Sequence, residues 1–457
     1  MSRSTAPRVH VVSLGCPKNT VDSERMVAIA DQQGLAIARD PSEAEVIVVN
    51  TCGFIEPAKR ESIDTMLRMA EQKHSGRCQT LVMAGCLSQR YPEDLARELP
   101  EVDHFLGTAD LGRLGEVLAR AGGGVPRENA PIERVSVGAP EGLEEADYRR
   151  QLIGPPHTSY LKISEGCNRP CAFCSIPIMR GRQRSRSVES LVDEAKQLVQ
   201  QGVRELILVA QDSTAYGSDL PRGSANLELL LRALDQIEGL SWVRVHYAYP
   251  SMIYPPLAEA MAELQSVVPY IDMPIQHVDD ELLRRMRRGY TGRRAREAVT
   301  SLRERIPGLW VRTTMLVGHP GETDEAHQAL LRFVEELSID HLGAFVFSPE
   351  EGTSSVDQPD EVPEELAEQR RAELLERQQR ISRERLAKLR GQTLEVMIDG
   401  VSDESEFLLV GRHGGQSPEI DGHVILADAE GQPGELVRAE VRDSADYDLV
   451  AHALPTA

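Results

Sequence analysis

Along residues 8–120, short apolar runs alternate with stretches whose apolar residues recur at helical spacing. The runs at 9–14, 46–49 and 81–84 read as strands, and 20–33, 57–73 and 92–98 read as helices. This alternation predicts a parallel α/β sheet. Residues 121–156 break the pattern with three consecutive glycines, several prolines and an acidic patch over 141–147, so they read as a linker. From 157 to 360, strand then helix repeats six times, with strands near 159–163, 204–210, 242–248, 270–275, 310–317 and 342–347. Amphipathic helices such as 188–201 and 323–337 lie between them. Six such units predict a barrel or an open partial (βα)6 barrel, whose active site lies at the carboxyl ends of the strands. Residues 361–390 predict one long connecting helix, and the short alternating runs of 391–457 predict a small β-barrel.

Composition narrows the class. A chain of 457 residues holds two or three domains with full cores, and its ordinary apolar and charged content excludes global disorder. No apolar run reaches the roughly 18 residues of a membrane span. The first residues lack the apolar stretch of a secretory signal. A cytoplasmic protein with reduced thiols is the expectation, and clustered cysteines then read as metal ligands or catalysts before disulfides.

Six of the seven cysteines form two trios. Cys167, Cys171 and Cys174 fall within eight residues, just after the first strand of the central region. Cys16, Cys52 and Cys86 are separated by 36 and 34 residues, close to the length of one strand–helix repeat. Each of these follows a predicted strand and has a glycine beside it, which permits a tight turn and the close approach of a bulky group. Three units in register offer three sulfurs to one point at the ligand-binding edge of an open sheet. The plain alternative is three separate buried cysteines. For the tight trio, three thiolates on a 4Fe-4S cluster leave one iron open to a small ligand, as catalysis requires. Zinc is the competing reading, but no nearby His or Cys supplies a fourth ligand at finger-like spacing. Cys78 has no partner at useful spacing and reads as structural.

The tight trio resembles the cluster loop of the radical S-adenosylmethionine (SAM) enzymes. The resemblance implies a 4Fe-4S cluster held by Cys167, Cys171 and Cys174, with its open iron chelated by SAM. It also implies Phe173 near the adenine. Together with a three-cysteine N-terminal domain and a small C-terminal β-domain of TRAM type, the chain is similar to the methylthiotransferases over almost its whole length. That family implies a second 4Fe-4S cluster on Cys16, Cys52 and Cys86, which carries the sulfur, and replacement of a C–H hydrogen by a methylthio group.

Two branches of the family exist, one acting on a transfer-RNA adenosine and one on an aspartate β-carbon of a small-subunit ribosomal protein. Residues 14–19, 245–250 and 348–353 look like the second branch, whose substrate is ribosomal protein twelve. Charge points the same way. The net charge is −21, and residues 391–457 hold 14 acidic side chains against three arginines and no lysine. Such a module repels phosphate and attracts a basic protein, so transfer RNA is not the expected partner. By itself, the acidity also reads as simple solubility. A flavodoxin or ferredoxin is the expected electron donor. A non-catalytic iron–sulfur scaffold or sensor is the rival of another class.

Further site residues are less sharply marked. The family's Gly-Gly-Glu segment is replaced by 209–212, where Gln211 is the candidate to reach the cofactor. Arg180 and Arg182 follow the cluster loop, and Arg182 is taken as a cofactor contact. The arginines of 284–296 read mostly as solvated helix faces. His319 stands where the family carries an aromatic and reads as a core or surface histidine.

Overall fold

The computed structural model describes residues 6–121, 133–141, 150–403 and 405–455. Much of the expected linker, and the acidic patch beyond Glu141, lie outside the described residues.

The first domain is a six-stranded parallel sheet. Its strands are β1 (Arg8–Ser13), β2 (Ala36–Ile37), β3 (Val46–Thr51), β4 (Thr80–Gly85), β5 (His104–Leu106) and β6 (Val135–Ser136), in the order β2-β1-β3-β4-β5-β6. β3 is a wholly buried strand whose first four residues, Val46 to Val49, are an unbroken apolar run, as a sheet covered on both faces requires. Helices α1 (Pro17–Gln32), α2 (Glu56–Ala70), α3 (Gln72–Ser75), α4 (Cys86–Arg90), α5 (Pro92–Glu98) and α6 (Leu111–Ala121) supply the crossovers. One core packs Val9, Val46 and Val48 against Met26 and Leu114, and the other packs Ile47, Val49 and Met83 against Met66 and Leu95. β6 falls inside the segment expected as a linker. At two residues it carries no readable alternation, and only pairing with β5 makes it a strand.

The second domain is an open six-stranded parallel sheet in sequential order. Its main strands are β7 (Thr158–Lys162), β10 (Glu205–Val209), β11 (Trp242–Val245), β12 (Val267–Asp272), β13 (Trp310–Val317) and β14 (His341–Val346). A small pair, β8 (Ser164–Glu165) with β9 (Arg184–Ser185), flanks the cysteine loop. Helices α7 (Ile176–Arg180), α8 (Val188–Gln200), α9 (Leu227–Leu234), α10 (Pro255–Glu263), α11 (Asp280–Arg285), α12 (Gly292–Arg305) and α13 (Asp324–Glu336) complete it. Alternate strand residues such as Leu206, Val243, Ile271 and Val311 pack on this helical shell. The other set includes the charged and aromatic residues Lys162, Arg244, Tyr270 and Arg312.

α14 (Glu364–Ala387) falls within the 361–390 segment and packs along α13 and β14. The chain ends in a closed five-stranded barrel of β15 (Thr393–Ser402), β16 (Ser405–His413), β17 (Val424–Ala427), β18 (Leu436–Ser444) and β19 (Leu449–Ala453). The loop between β16 and β17 enters the polar side of the second sheet. Arg244 donates to the Gly414 carbonyl at 2.8 Å, Tyr270 donates to Asp421 at 2.8 Å, and Ser417 bonds His246 at 3.0 Å.

Candidate metal centres

Cys16, Cys52 and Cys86 stand past the carboxyl ends of β1, β3 and β4, three neighbouring strands. Cys16 caps the start of α1, Cys52 follows Thr51 directly, and Cys86 opens α4. The turns that place them need glycine. Gly15 has φ +89°, and a Cβ there would lie 2.7 Å from the Cβ of Cys52 and 3.0 Å from its sulfur. Gly85 has φ +97°, with the Asn50 side-chain oxygen where its Cβ would stand. The register pairs Thr51 with Gly85, so the second and third thiols leave the sheet at one level.

The three thiols differ electrostatically. Burial opposes ionisation of Cys16, yet Lys18, Arg180 and backbone N–H donors hold its thiol below the ordinary value. Burial and the neighbouring Cys86 push Cys52 up to about 12. Burial also raises Cys86, against the pull of Arg180. In the second trio, burial pushes Cys167 up to about 11 and Cys174 up to about 12. Metal binding at such sites displaces protons.

The second trio occupies the loop between β8 and α7, beyond the carboxyl end of β7. Its sulfurs meet N–H donors: the Arg169 backbone donates to Cys167 Sγ at 3.4 Å, and Arg288 Nη1 donates to Cys171 Sγ at 3.2 Å. Arg180 Nε donates to Cys86 Sγ of the first trio at 3.4 Å. Donors aimed at sulfur are what thiolate-ligated clusters use to set their properties, so both trios fit iron–sulfur clusters. Among the described residues, no three His, Cys, Asp or Glu side chains close on a point that one ion could hold. A cuboidal cluster spreads its thiolates over separate irons.

Between the trios lies a buried ionic layer. Lys162 pairs with Asp22 and, at 2.7 Å, with Glu165. Arg180 Nη1 pairs with the same two carboxylates at 2.9 Å each. Gln211 donates to the other Glu165 oxygen at 3.0 Å, and its own buried carbonyl oxygen has no partner. Burial would raise Glu165, but Arg180 and Lys162 hold its carboxyl far below the usual range. Lys18 caps the layer, its ammonium 3.5 Å from the Tyr247 ring centroid.

The remaining expected residues fall as follows. Phe173 is half-buried and packs with Leu282, Met286, Leu316 and Phe347. Arg182 is exposed, whereas Arg180, two residues earlier, is buried in the ionic layer. Cys78 is buried in the core of the first domain. His319 is fully buried between Phe173 and Phe347, bonds Ser355 at 2.8 Å, and is pushed down to about 4 by burial. The arginines of 284–296 largely pair with exposed acids, as Arg284 does with Glu281 and Arg296 with Glu336. Arg288 departs from that pattern: it lies between Tyr249 and Tyr290 and faces Cys171. Asn19, Asp22, Lys162, Glu165 and Arg288 carry no isolated sequence signal. Lys18, Asn19 and Tyr247 do lie inside stretches 14–19 and 245–250.

Comparison with known proteins follows the same three parts. Residues 8–107 match "Uncharacterized protein family UPF0004", 161–334 match the "Radical SAM superfamily", and 391–454 match the "TRAM domain". The chain is 49% identical to the ribosomal protein uS12 methylthiotransferase RimO of Myxococcus xanthus, covering 99% of this chain and 93% of the relative. It is 44% identical to the RimO of Geobacter sulfurreducens, covering 98% of each. The chain belongs to the RimO family. It is therefore an enzyme, a radical SAM methylthiotransferase. Solved structures agree with the RimO fold at greater distance. The radical SAM methyltransferase TsrM of Kitasatospora setae, with cobalamin and a [4Fe-4S] cluster bound, gives a TM-score of 0.59 at 17% identity over 77% of each chain. The cobalamin-dependent SAM radical enzyme OxsB gives 0.51 at 13% identity, covering 82% of this chain and 56% of that one. At these identities the likeness is one of fold.

Proposed function

We propose that this chain transfers a methylthio group to the β-carbon of an aspartate in ribosomal protein uS12, using SAM and two 4Fe-4S clusters. The observation that carries the reading is the pair of cysteine trios joined by one buried ionic layer. When bound, the clusters and SAM supply the reducing electron, the 5'-deoxyadenosyl radical and the methylthio sulfur. Cys167, Cys171 and Cys174 hold one cluster, and Cys16, Cys52 and Cys86 hold the other. Arg288 and the Arg169 N–H hold the sulfurs of the first in register. Phe173 offers an aromatic surface beside the loop, and the open carbonyl of Gln211 offers an acceptor to a cofactor amine. Arg182, exposed near the loop, is assigned to the cofactor's outer edge. The packed ionic layer keeps water away from the space between the trios. No side chain is asked to take the substrate hydrogen as a proton, because the C–H bond breaks homolytically.

The C-terminal barrel supports a basic protein substrate. It carries about half of the net charge in a seventh of the length. The ends of β15 and β16 next to their connecting turn expose Val401 and Phe407 near Asp403 and Glu406, an apolar contact framed by acids. A flavodoxin or ferredoxin is the proposed electron donor. Among the described residues, no helix is long and apolar enough to cross a membrane.

The test is incubation of the iron-reconstituted protein with SAM, a reductant and either uS12 or transfer RNA. A gain of about 46 Da on one aspartate, from exchange of H for SCH3, is the expected result. Methylthioadenosine in transfer RNA with unmodified uS12 would reject the substrate assignment. Absence of 5'-deoxyadenosine would favour a non-catalytic scaffold.

A further inference from the structure

Arg180 is the last residue of α7, six residues after Cys174, yet its side chain leaves the second domain. It is 2% exposed and four acceptors surround it. Nη1 donates to Asp22 Oδ2 and Glu165 Oε2, Nη2 donates to Asn19 Oδ1 at 2.5 Å, and Nε faces Cys86 Sγ at 3.4 Å. Asn19 and Asp22 belong to α1 of the first domain, whereas Glu165 belongs to β8 of the second. The guanidinium plane is thus fixed by three oxygens on two domains, and its Nε–H is aimed at a sulfur of the dispersed trio.

A planar fork anchored in this way loses little entropy per bond formed. The sulfur gains negative charge when a cluster it ligates is reduced, so an N–H donor held on it favours the reduced form. The net charge nearby is small, because Asp22 and Glu165 face both Arg180 and Lys162. The directed bond therefore carries the effect more than the bare charge does.

We propose that Arg180 is a positioning residue for the N-terminal cluster, holding the Cys86 thiolate and raising that cluster's reduction potential from the neighbouring domain. This rests on the two-cluster reading above. Because Arg180 is covalently continuous with the loop of the other trio, docking of the two domains is what places the donor. A purely structural ion pair would stabilise the same interface and leave the potential where it was.

The test uses the full chain with Cys167, Cys171 and Cys174 replaced by Ala, so that only the dispersed trio can carry iron. Iron is counted after reconstitution, and the midpoint potential is read by electron paramagnetic resonance during titration with dithionite and mediators. Arg180→Gln should shift the midpoint negative by about tenfold in the reduction equilibrium, about 59 mV for one electron. Arg180→Lys, which keeps the charge and loses the fork, should fall between. Asp22→Asn removes a carboxylate that neutralises Arg180 and should shift the midpoint positive. Unchanged midpoints in variants that hold iron like their parent would overturn the proposal. If Arg180→Gln holds no iron, Arg180→Lys decides, because it keeps the charge and loses the Nε donor to Cys86: a midpoint equal to the parent's overturns the proposal. If the triple-alanine parent itself holds no iron, the two-cluster reading fails instead.

Discussion

Arg90 of the first domain and Glu350 of the second are paired at 2.6 Å, with side chains only 3% and 2% exposed. Lys59 reaches the same carboxylate oxygen at 3.1 Å, and Arg90 also donates to the carbonyls of Gly53 and Glu351. Glu350 lies in the loop after β14, and Gly53 directly follows Cys52. This pair locks the sulfur-bearing edge of the first sheet to the mouth of the second domain.

Glu350→Ala removes the carboxylate shared by Arg90 and Lys59, leaving the buried Arg90 side chain with two carbonyls and no counter-charge of its own, while Lys59 keeps Glu56 at 2.9 Å. Removing one partner of a buried pair costs about 3–5 kcal/mol. Thermal unfolding should start earlier, and proteolysis should open between the first two domains before either is digested. A melting curve identical to that of the parent would show that the pair contributes nothing.

The two trios should lose iron independently. Replacing Cys16, Cys52 and Cys86 with Ala should remove about four irons and leave reductive cleavage of SAM intact. Replacing Cys167, Cys171 and Cys174 should abolish 5'-deoxyadenosine formation while keeping about four irons. Iron analysis and chromatography of the SAM products report both. If the first triple variant lost all of its iron, the trios would not be separate centres.

Acid should loosen the contact between the second domain and the C-terminal barrel. Burial, with His341, Arg244 and Arg412 nearby, pushes His413 down to about 3. Unfolding returns it to about 6.5. Its neutral folded form therefore contributes stability above that value, and the contribution is lost as pH falls toward 3. Burial opposes the charge of Glu205, but Arg412 and Arg244 hold its carboxyl low, so its contribution fades only at lower pH. Trp310 lies 4.8 Å from His413 and reports the contact. Urea unfolding followed by tryptophan fluorescence should show stability falling from pH 7 to 5. His413→Gln should flatten that dependence, and an unchanged slope would assign it to other groups.

Phe407 is 84% exposed at the acidic end of the C-terminal barrel. If that end docks uS12, Phe407→Ala should weaken binding roughly tenfold, the usual cost of truncating an aromatic anchor. Iron content and 5'-deoxyadenosine formation should not move. Asp403→Lys with Glu406→Lys should slow association and reduce its sensitivity to salt. Binding kinetics at two salt concentrations separate the two effects, and unaltered rates would place the docking surface elsewhere.

The strands of the second domain were legible because each is a compact apolar run followed by an amphipathic helix. Strands near 204–210 and 310–317 appear at Glu205–Val209 and Trp310–Val317. Short edge strands were not legible. Ala36–Ile37 and Val135–Ser136 have two residues each, too few for any period, and exist through pairing. Arg288 was hidden among arginines that pair with surface acids, since nothing local distinguishes a buried guanidinium from a solvated one.

What the sequence determined alone was the identity and level of the sulfurs. A thiol beside a glycine, directly after an apolar run, is a local statement, and repeats of similar length bring such thiols to one edge of a parallel sheet. Only the tertiary structure decided which charges serve those sulfurs. Asp22 and Lys162 are 140 residues apart, and Arg180 meets Cys86 across 94. A charge survives burial only when partners from other elements surround it, and no local pattern encodes that meeting.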